Sequence, residues 1–108
     1  MGDSDRIREL NDALRQQGNG GKIVVTHGVS ALSGEGQSRV MQLLRAYNDF
    51  GEENDPHKEH DFGAFECEGH RILWKIDYYD KTEEFGSEDP SDPEQTHRVL
   101  TVMLAEEY

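Results

Sequence analysis

The sequence predicts an α+β fold, in which two helices cover one face of a single layer of about four mostly antiparallel strands. Three observations support this prediction. Two segments carry apolar residues at helical spacing, two strand-like segments flank a Glu-Gly pair, and β-branched residues dominate two further segments. The 108 residues fit one domain, residues 1–108, with the predicted element order α-β-α-β-β-β.

The first predicted helix begins near Ser4, whose hydroxyl can cap the N–H groups of the first turn. Ile7, Leu10 and Leu14 then recur at spacings of three and four, which places them on one helical stripe. Gly18 ends the pattern, because glycine favours the left-handed conformation found at helix ends. The segment is therefore expected to be amphipathic and to pack against a sheet.

A strand and a second helix are predicted next. Residues 22–29 are rich in β-branched side chains, which favour a strand. Residues 36–50 show helical spacing and stop at Gly51. The apolar residues of this second helix are Val40, Leu43, Leu44 and Tyr47.

Residues 64–67 and 70–79 predict a hairpin, because the Glu68-Gly69 pair between them is typical of a tight turn. Alternate residues of the second strand form an apolar face. They are Ile72, Trp74, Ile76 and Tyr78. Cys67 is expected to be a buried, inert thiol.

The last segment, residues 97–105, has a nearly continuous apolar run that suits either a helix or a strand. Its valines and threonine favour a buried strand, because such runs are typical of central strands. The helical alternative stays open at this stage.

The net charge of −12 is unevenly distributed along the chain. Residues 1–48 carry six basic and five acidic residues, whereas residues 49–108 carry five basic and eighteen acidic residues. Direct nucleic-acid binding is not expected, since phosphates are bound by Lys and Arg. A basic protein partner or a cation matches this charge better, although acidity can also serve solubility alone.

No apolar run reaches the roughly 20 residues that cross a bilayer, and the first ten residues contain no apolar stretch typical of a signal peptide. We therefore expect no membrane association. The single cysteine excludes an internal disulfide. Together these features predict a cytoplasmic protein.

Residues 55–61 concentrate two histidines and three acids, a mixture that suits a divalent transition metal. The candidate metal ligands are His57, His60, Asp61 and Asp77, the last of which lies on the long strand and could meet the cluster. A general-base role for one histidine is a related hypothesis. No known metal motif matches the spacing, and Asp55-Pro56 also suits a simple turn. No cofactor is predicted, unless residues 55–61 bind a divalent metal ion.

Residues 80–95 form a long predicted loop with two prolines and seven acids. Loops of this length within a compact domain are often functional, and aromatic residues anchor interfaces. The alternative is a solvated, disordered loop. The candidate protein-binding residues are Tyr79, Glu83, Glu84, Phe85, Glu88, Asp89, Asp92 and Glu94.

Three stretches together resemble a known family: NDPHKEHDFG at residues 54–63, WKIDYYD at residues 74–80 and HRVLTVMLAEEY at residues 97–108. The family, marked by DPxxEHDFG and WKIDYYD, consists of small bacterial proteins classed as a domain of unknown function, often encoded on plasmids and phages. The resemblance implies a one-domain bacterial protein from a mobile element. It implies no activity.

Two functions are compatible with these observations. The first is an acidic protein-binding module, in the narrower form a mobile-element inhibitor that imitates DNA against a basic host defence protein. The alternative is a small metal-binding protein or metal-dependent enzyme that uses residues 55–61. An exposed β edge could also pair two copies into a homodimer. The charge distribution favours the first function over an enzyme.

Overall fold

The computed structural model describes residues 3–108, and the elements follow the predicted α+β order with one added short helix. The helices are α1 (Asp3–Gln17), α2 (His27–Ser30) and α3 (Gly34–Ala46). The strands are β1 (Gly21–Val25), β2 (Phe62–Cys67), β3 (His70–Tyr79) and β4 (His97–Leu104), followed by a 3-10 turn at Ala105–Glu107.

The four strands form one mixed sheet in the order β1-β4-β3-β2. The pairs β2–β3 and β3–β4 are antiparallel, and β1 runs parallel to β4 at the edge. The prediction of a mostly antiparallel sheet is confirmed. Residues 97–104 form a central strand, which also confirms the strand assignment of the last segment.

The tight turn between β2 and β3 is confirmed. Cys67 pairs with His70, and the two residues between them have positive φ, 49° at Glu68 and 83° at Gly69. Positive φ at both central positions is the geometry that matches the twist of a two-residue hairpin.

The main hydrophobic cluster lies on one face of the sheet. Trp74 and Leu100 are fully buried there, and helical side chains pack against them in one cluster. The helical members are Leu14 of α1, Val29 of α2, and Val40 and Leu44 of α3. We call this side of the sheet the helix-covered face and the opposite side the open face. Cys67 is buried in the same cluster, as predicted.

Two boundaries differ most from the sequence prediction. The first strand ends at Val25 rather than at residue 29, because the Thr26 carbonyl accepts the N–H of Ser30 and starts a helical turn. The second helix ends at Ala46 because Tyr47 turns to extended backbone (φ −60°, ψ 131°) and places its ring in the core. No helix within residues 3–108 is long and apolar enough to cross a membrane.

Candidate functional site

Residues 50–61, which we call the docked loop, lie against α1. Three side chains from one side of the helix hold three successive residues of the loop, because positions 8, 11 and 12 are neighbours at helical spacing. The pairs are Arg8 Nη1 with the Lys58 carbonyl (3.0 Å), Asn11 Nδ2 with the Glu59 carbonyl (2.9 Å) and Asp12 Oδ1 with His60 Nδ1 (2.9 Å).

A buried carboxylate organises the loop from within. Asp55 is only 5% exposed, and its Oδ1 accepts the backbone N–H groups of Glu59 and His60, each at 3.0 Å. Lys58 and His60 have φ values of 57° and 55°, in the left-handed region that residues with a side chain rarely adopt. Such strain persists only where the surrounding contacts enforce it, and it is often found at functional sites.

His60 lies between two carboxylates and an aromatic ring. A carboxylate can only accept, so Nδ1 donates to Asp12, and Nε2 lies 3.7 Å from Asp55 Oδ2. The imidazole ring stacks on Phe50 with centroids 3.7 Å apart. Asp12 Oδ1 also accepts from Arg15 Nη1 at 3.1 Å, so one carboxylate joins the histidine to a buried guanidinium.

A second polar network continues beneath α1. Asn11 is fully buried, donates to Tyr78 Oη (2.8 Å) and accepts from Arg98 Nε (2.9 Å). Arg98 also donates to the Pro90 carbonyl and lies over the Tyr78 ring. Burial raises the pKa of Tyr78 and lowers the pKa of Arg98. This network connects α1 to β3, to β4 and to residues 80–95.

The four predicted metal ligands do not converge in the structure. His57 is exposed, whereas His60 is engaged by Asp12. Asp77 pairs with Lys75 (2.7 Å) on the open face. Within residues 3–108, no group of three or more His, Cys, Asp or Glu side chains has a geometry that could hold a metal ion.

Asp61, the remaining predicted ligand, is the half-buried last residue of the docked loop. Burial raises the pKa of its carboxyl, and the neighbouring carboxylates of Glu59 and Asp55 raise it further.

The α1 residues that hold the docked loop were not predicted from the sequence. One signal was present, since Asn11 lies between Ile7 and Leu14 on the stripe of buried residues. A polar residue on a buried helical stripe requires a hydrogen-bond partner. The sequence does not reveal which partner, because Glu59 and Arg98 are 48 and 87 positions away.

Residues 80–95, which we call the acidic segment, are folded rather than disordered. Three aspartates form turns by accepting from groups two to four residues further on. They are Asp80 (Thr82 N–H and hydroxyl, Glu84 N–H), Asp89 (Ser91 N–H and hydroxyl) and Asp92 (Glu94 N–H, Gln95 amide). The bond from Thr82 lowers the pKa of Asp80, and the bond from Gln95 lowers the pKa of Asp92.

The acidic segment presents one aromatic residue to solvent. Phe85 is 70% exposed and borders a groove of about 400 Å³ whose other walls include Glu88 and Glu94. Tyr79 is half-buried and pairs with Gly86. Glu83 lies 3.7 Å from Lys22 and 3.6 Å from His97.

The predicted protein-binding residues therefore separate into two sets. One set holds the acidic segment in place, namely Tyr79, Glu83, Asp89 and Asp92. The other set is exposed at the surface, namely Glu84, Phe85, Glu88 and Glu94.

Residues 25–107 match the model of a family described as a protein of unknown function, DUF3768. The chain belongs to the DUF3768 family. The match covers more than half of the chain and includes both the docked loop and the acidic segment. α1 of this DUF3768 protein precedes the matched residues. No curated protein and no solved structure matches the chain.

Proposed function

We propose that this DUF3768 protein is an acidic protein-binding module that docks on a basic surface of another protein through the acidic segment. The observation that carries the proposal is Phe85, an aromatic residue that is 70% exposed beside a groove lined by three acids and one base. They are Asp80, Glu88, Glu94 and Lys81. Buried aromatic anchors supply much of the energy of protein interfaces. A solvent-exposed Phe surrounded by acids would gain most by inserting into a basic partner.

The order of the acidic segment supports this role. Asp80, Asp89 and Asp92 are satisfied within the segment, so the loop is shaped before a partner arrives. A preformed loop loses less conformational entropy on binding than a disordered one. Within residues 3–108, no ion pair engages the exposed Glu84, Glu88 or Glu94 side chains. These three carboxylates are the charges available to a partner.

The narrower proposal is that the partner binds nucleic acid and that the protein inhibits it by charge mimicry. Residues 49–108 carry eighteen acids against five bases. This density of negative charge matches a basic surface on a partner that binds the phosphates of nucleic acid. The sequence resemblance to proteins of plasmids and phages suggests a host defence protein as the target. Charge-driven association of this kind should weaken steeply with added salt.

A photo-crosslinking experiment tests the proposal. Benzoylphenylalanine is placed at position 85 or, as the control, at Tyr108, which is 80% exposed but lies outside the acidic segment. The proteins are irradiated in host lysate, and crosslinked products are identified by mass spectrometry. We expect position 85 to capture a specific basic protein that position 108 does not capture.

Two charge variants then test the mechanism on the purified partner. E84Q/E88Q/E94Q removes three charges from the acidic segment, and E35Q/E53Q/E106Q removes the same number from exposed positions elsewhere. The first variant should weaken binding at least about tenfold, and the second should leave it nearly unchanged. Equal affinities for the two variants, or an affinity insensitive to salt, would exclude the charge-driven interface.

A further inference from the structure

A pocket of about 380 Å³ opens between α1 and the docked loop, away from the acidic segment. Its volume lies at the lower end of the roughly 300–1,000 Å³ that is usual for small-molecule sites. Its lining includes Arg8 from α1 and Phe50, Glu52, Asp55, Lys58 and His60 from the docked loop.

We propose that this pocket binds a small molecule that carries one oxyanion group, a phosphate or a carboxylate, between Arg8 and Lys58. The pocket brings two basic residues together within a chain whose net charge is −12. Arg8 donates to the Lys58 carbonyl and to Asp5 Oδ1 (2.8 Å), and a guanidinium has more N–H donors than these two contacts use. Its planar donors suit carboxylate and phosphate oxygens.

The two carboxylates at the pocket limit the class of ligand. Asp55 is almost fully buried, and its Oδ1 accepts two backbone N–H groups that offset part of its negative charge. Glu52 is exposed at the pocket and repels additional negative charge. The site therefore suits a ligand with a single anionic group rather than a polyanion.

His60 and Phe50 supply the remaining recognition. Asp12 fixes the Nδ1 side of the imidazole, and the 3.7 Å between Nε2 and Asp55 Oδ2 is too long for a direct hydrogen bond. In the tautomer that donates from Nδ1, Nε2 is an acceptor, so it can accept a hydrogen bond from an O–H group of the ligand. The Phe50 ring, stacked on His60, adds an apolar wall for the non-ionic part of the ligand.

The backbone geometry of the docked loop favours a binding role over the role of a simple connecting loop. Two residues with side chains, Lys58 and His60, are held at positive φ within three positions. Glycine would adopt this geometry without strain. The contacts from α1 and from Asp55 enforce the strained backbone, and both residues line the same pocket.

NMR titration of the isotope-labelled protein at constant ionic strength tests the proposal, with inorganic phosphate and acetate as separate probes. We expect saturable shifts at the His60 ring and at the amides of the docked loop with at least one probe. Saturation by phosphate alone or by acetate alone would each support the site and would identify the oxyanion that it prefers.

Three variants complete the test. R8Q and K58Q should each weaken the saturable binding about tenfold, whereas R6Q, which removes the same charge from an exposed residue of α1, should not. If R8Q disturbs folding, K58Q still tests the site, because Lys58 is exposed and its replacement should leave the fold intact. Shifts that fail to saturate, or that weaken equally in R6Q and K58Q, would overturn the proposal.

Discussion

Glu107 shows how a single exposed residue joins distant parts of the chain. Its carboxylate accepts from Thr26 Oγ1 (2.6 Å), from the Gly28 N–H (2.9 Å) and from the Leu104 N–H (2.8 Å). The bond from Thr26 is the largest cause of a lowered pKa at Glu107, and the backbone bonds lower it further. The contacts fasten the end of β4 to the turn that follows β1.

This lowered pKa predicts a pH-dependent contribution to stability. A carboxyl with a lowered folded-state pKa stabilises the fold above its ordinary value of 4.5 and loses that contribution as the pH falls through the folded-state value. E107Q should therefore melt a few degrees below the wild type at neutral pH, and the difference should close below pH 4.5. Thermal melts followed by circular dichroism across the acidic range measure both effects.

E106Q is the matched control for this prediction, because it makes the same change at the neighbouring exposed carboxylate. It should melt close to the wild type at every pH. If E106Q and E107Q showed the same pH profile, the three hydrogen bonds of Glu107 would not be the source of the effect.

At the scale of elements, the attachment of α1 depends on polar contacts as well as on apolar ones. Asn11 is fully buried and forms hydrogen bonds with Glu59, Tyr78 and Arg98. Removing its side chain leaves the Arg98 Nε donor and the Glu59 carbonyl without this partner. An unsatisfied buried group costs about 1–3 kcal/mol, and more when it is charged.

N11A should therefore lower the free energy of unfolding by about 3 kcal/mol in urea titrations. The matched control is Q16A on the same helix, an exposed position where substitutions usually change stability by less than about 0.5 kcal/mol. A loss below about 1 kcal/mol for N11A would mean that water replaces the amide at no great cost, and the network would then not hold α1 in place.

The elements that the sequence predicted correctly are those whose signals are local. The β2–β3 hairpin follows from Glu68-Gly69 and alternating side chains, and α3 follows from the spacing of Val40, Leu43 and Leu44. The end of β1 was misplaced because Thr26 and Val29 are β-branched and extend the strand-like composition beyond Val25. Their helical turn is fixed by Glu107, about eighty positions away in the chain.

The candidate site was predicted only in part for the same reason. His60 was identified by its residue type, but its actual partner Asp12 lies on α1, 48 positions earlier. Asp77 was grouped with the histidine because it follows in the hairpin, yet the period of two in a strand places it on the open face beside Lys75. Side-chain contacts between distant segments are set by tertiary packing, which no local pattern encodes.

At the scale of the whole molecule, the acidic surface opposes folding. The net charge of −12 makes the compact state repel itself, and most of the ion pairs within residues 3–108 join at least partly exposed side chains, where each contributes little. Added salt screens the repulsion more than it weakens these few pairs. The protein should consequently become more stable as the ionic strength rises.

The melting temperature is expected to rise by several degrees between about 0.01 M and about 1 M NaCl, as the Debye length falls from ~30 Å to ~3 Å. E84Q/E88Q/E94Q should melt higher than the wild type at low salt and gain less from added salt, because it removes part of the repulsion. A flat or falling melting temperature for the wild type would contradict this view of the surface. If the same variant is more stable but no longer binds the partner protein, the three carboxylates are retained for binding at the expense of stability. Functional surfaces often show this compromise.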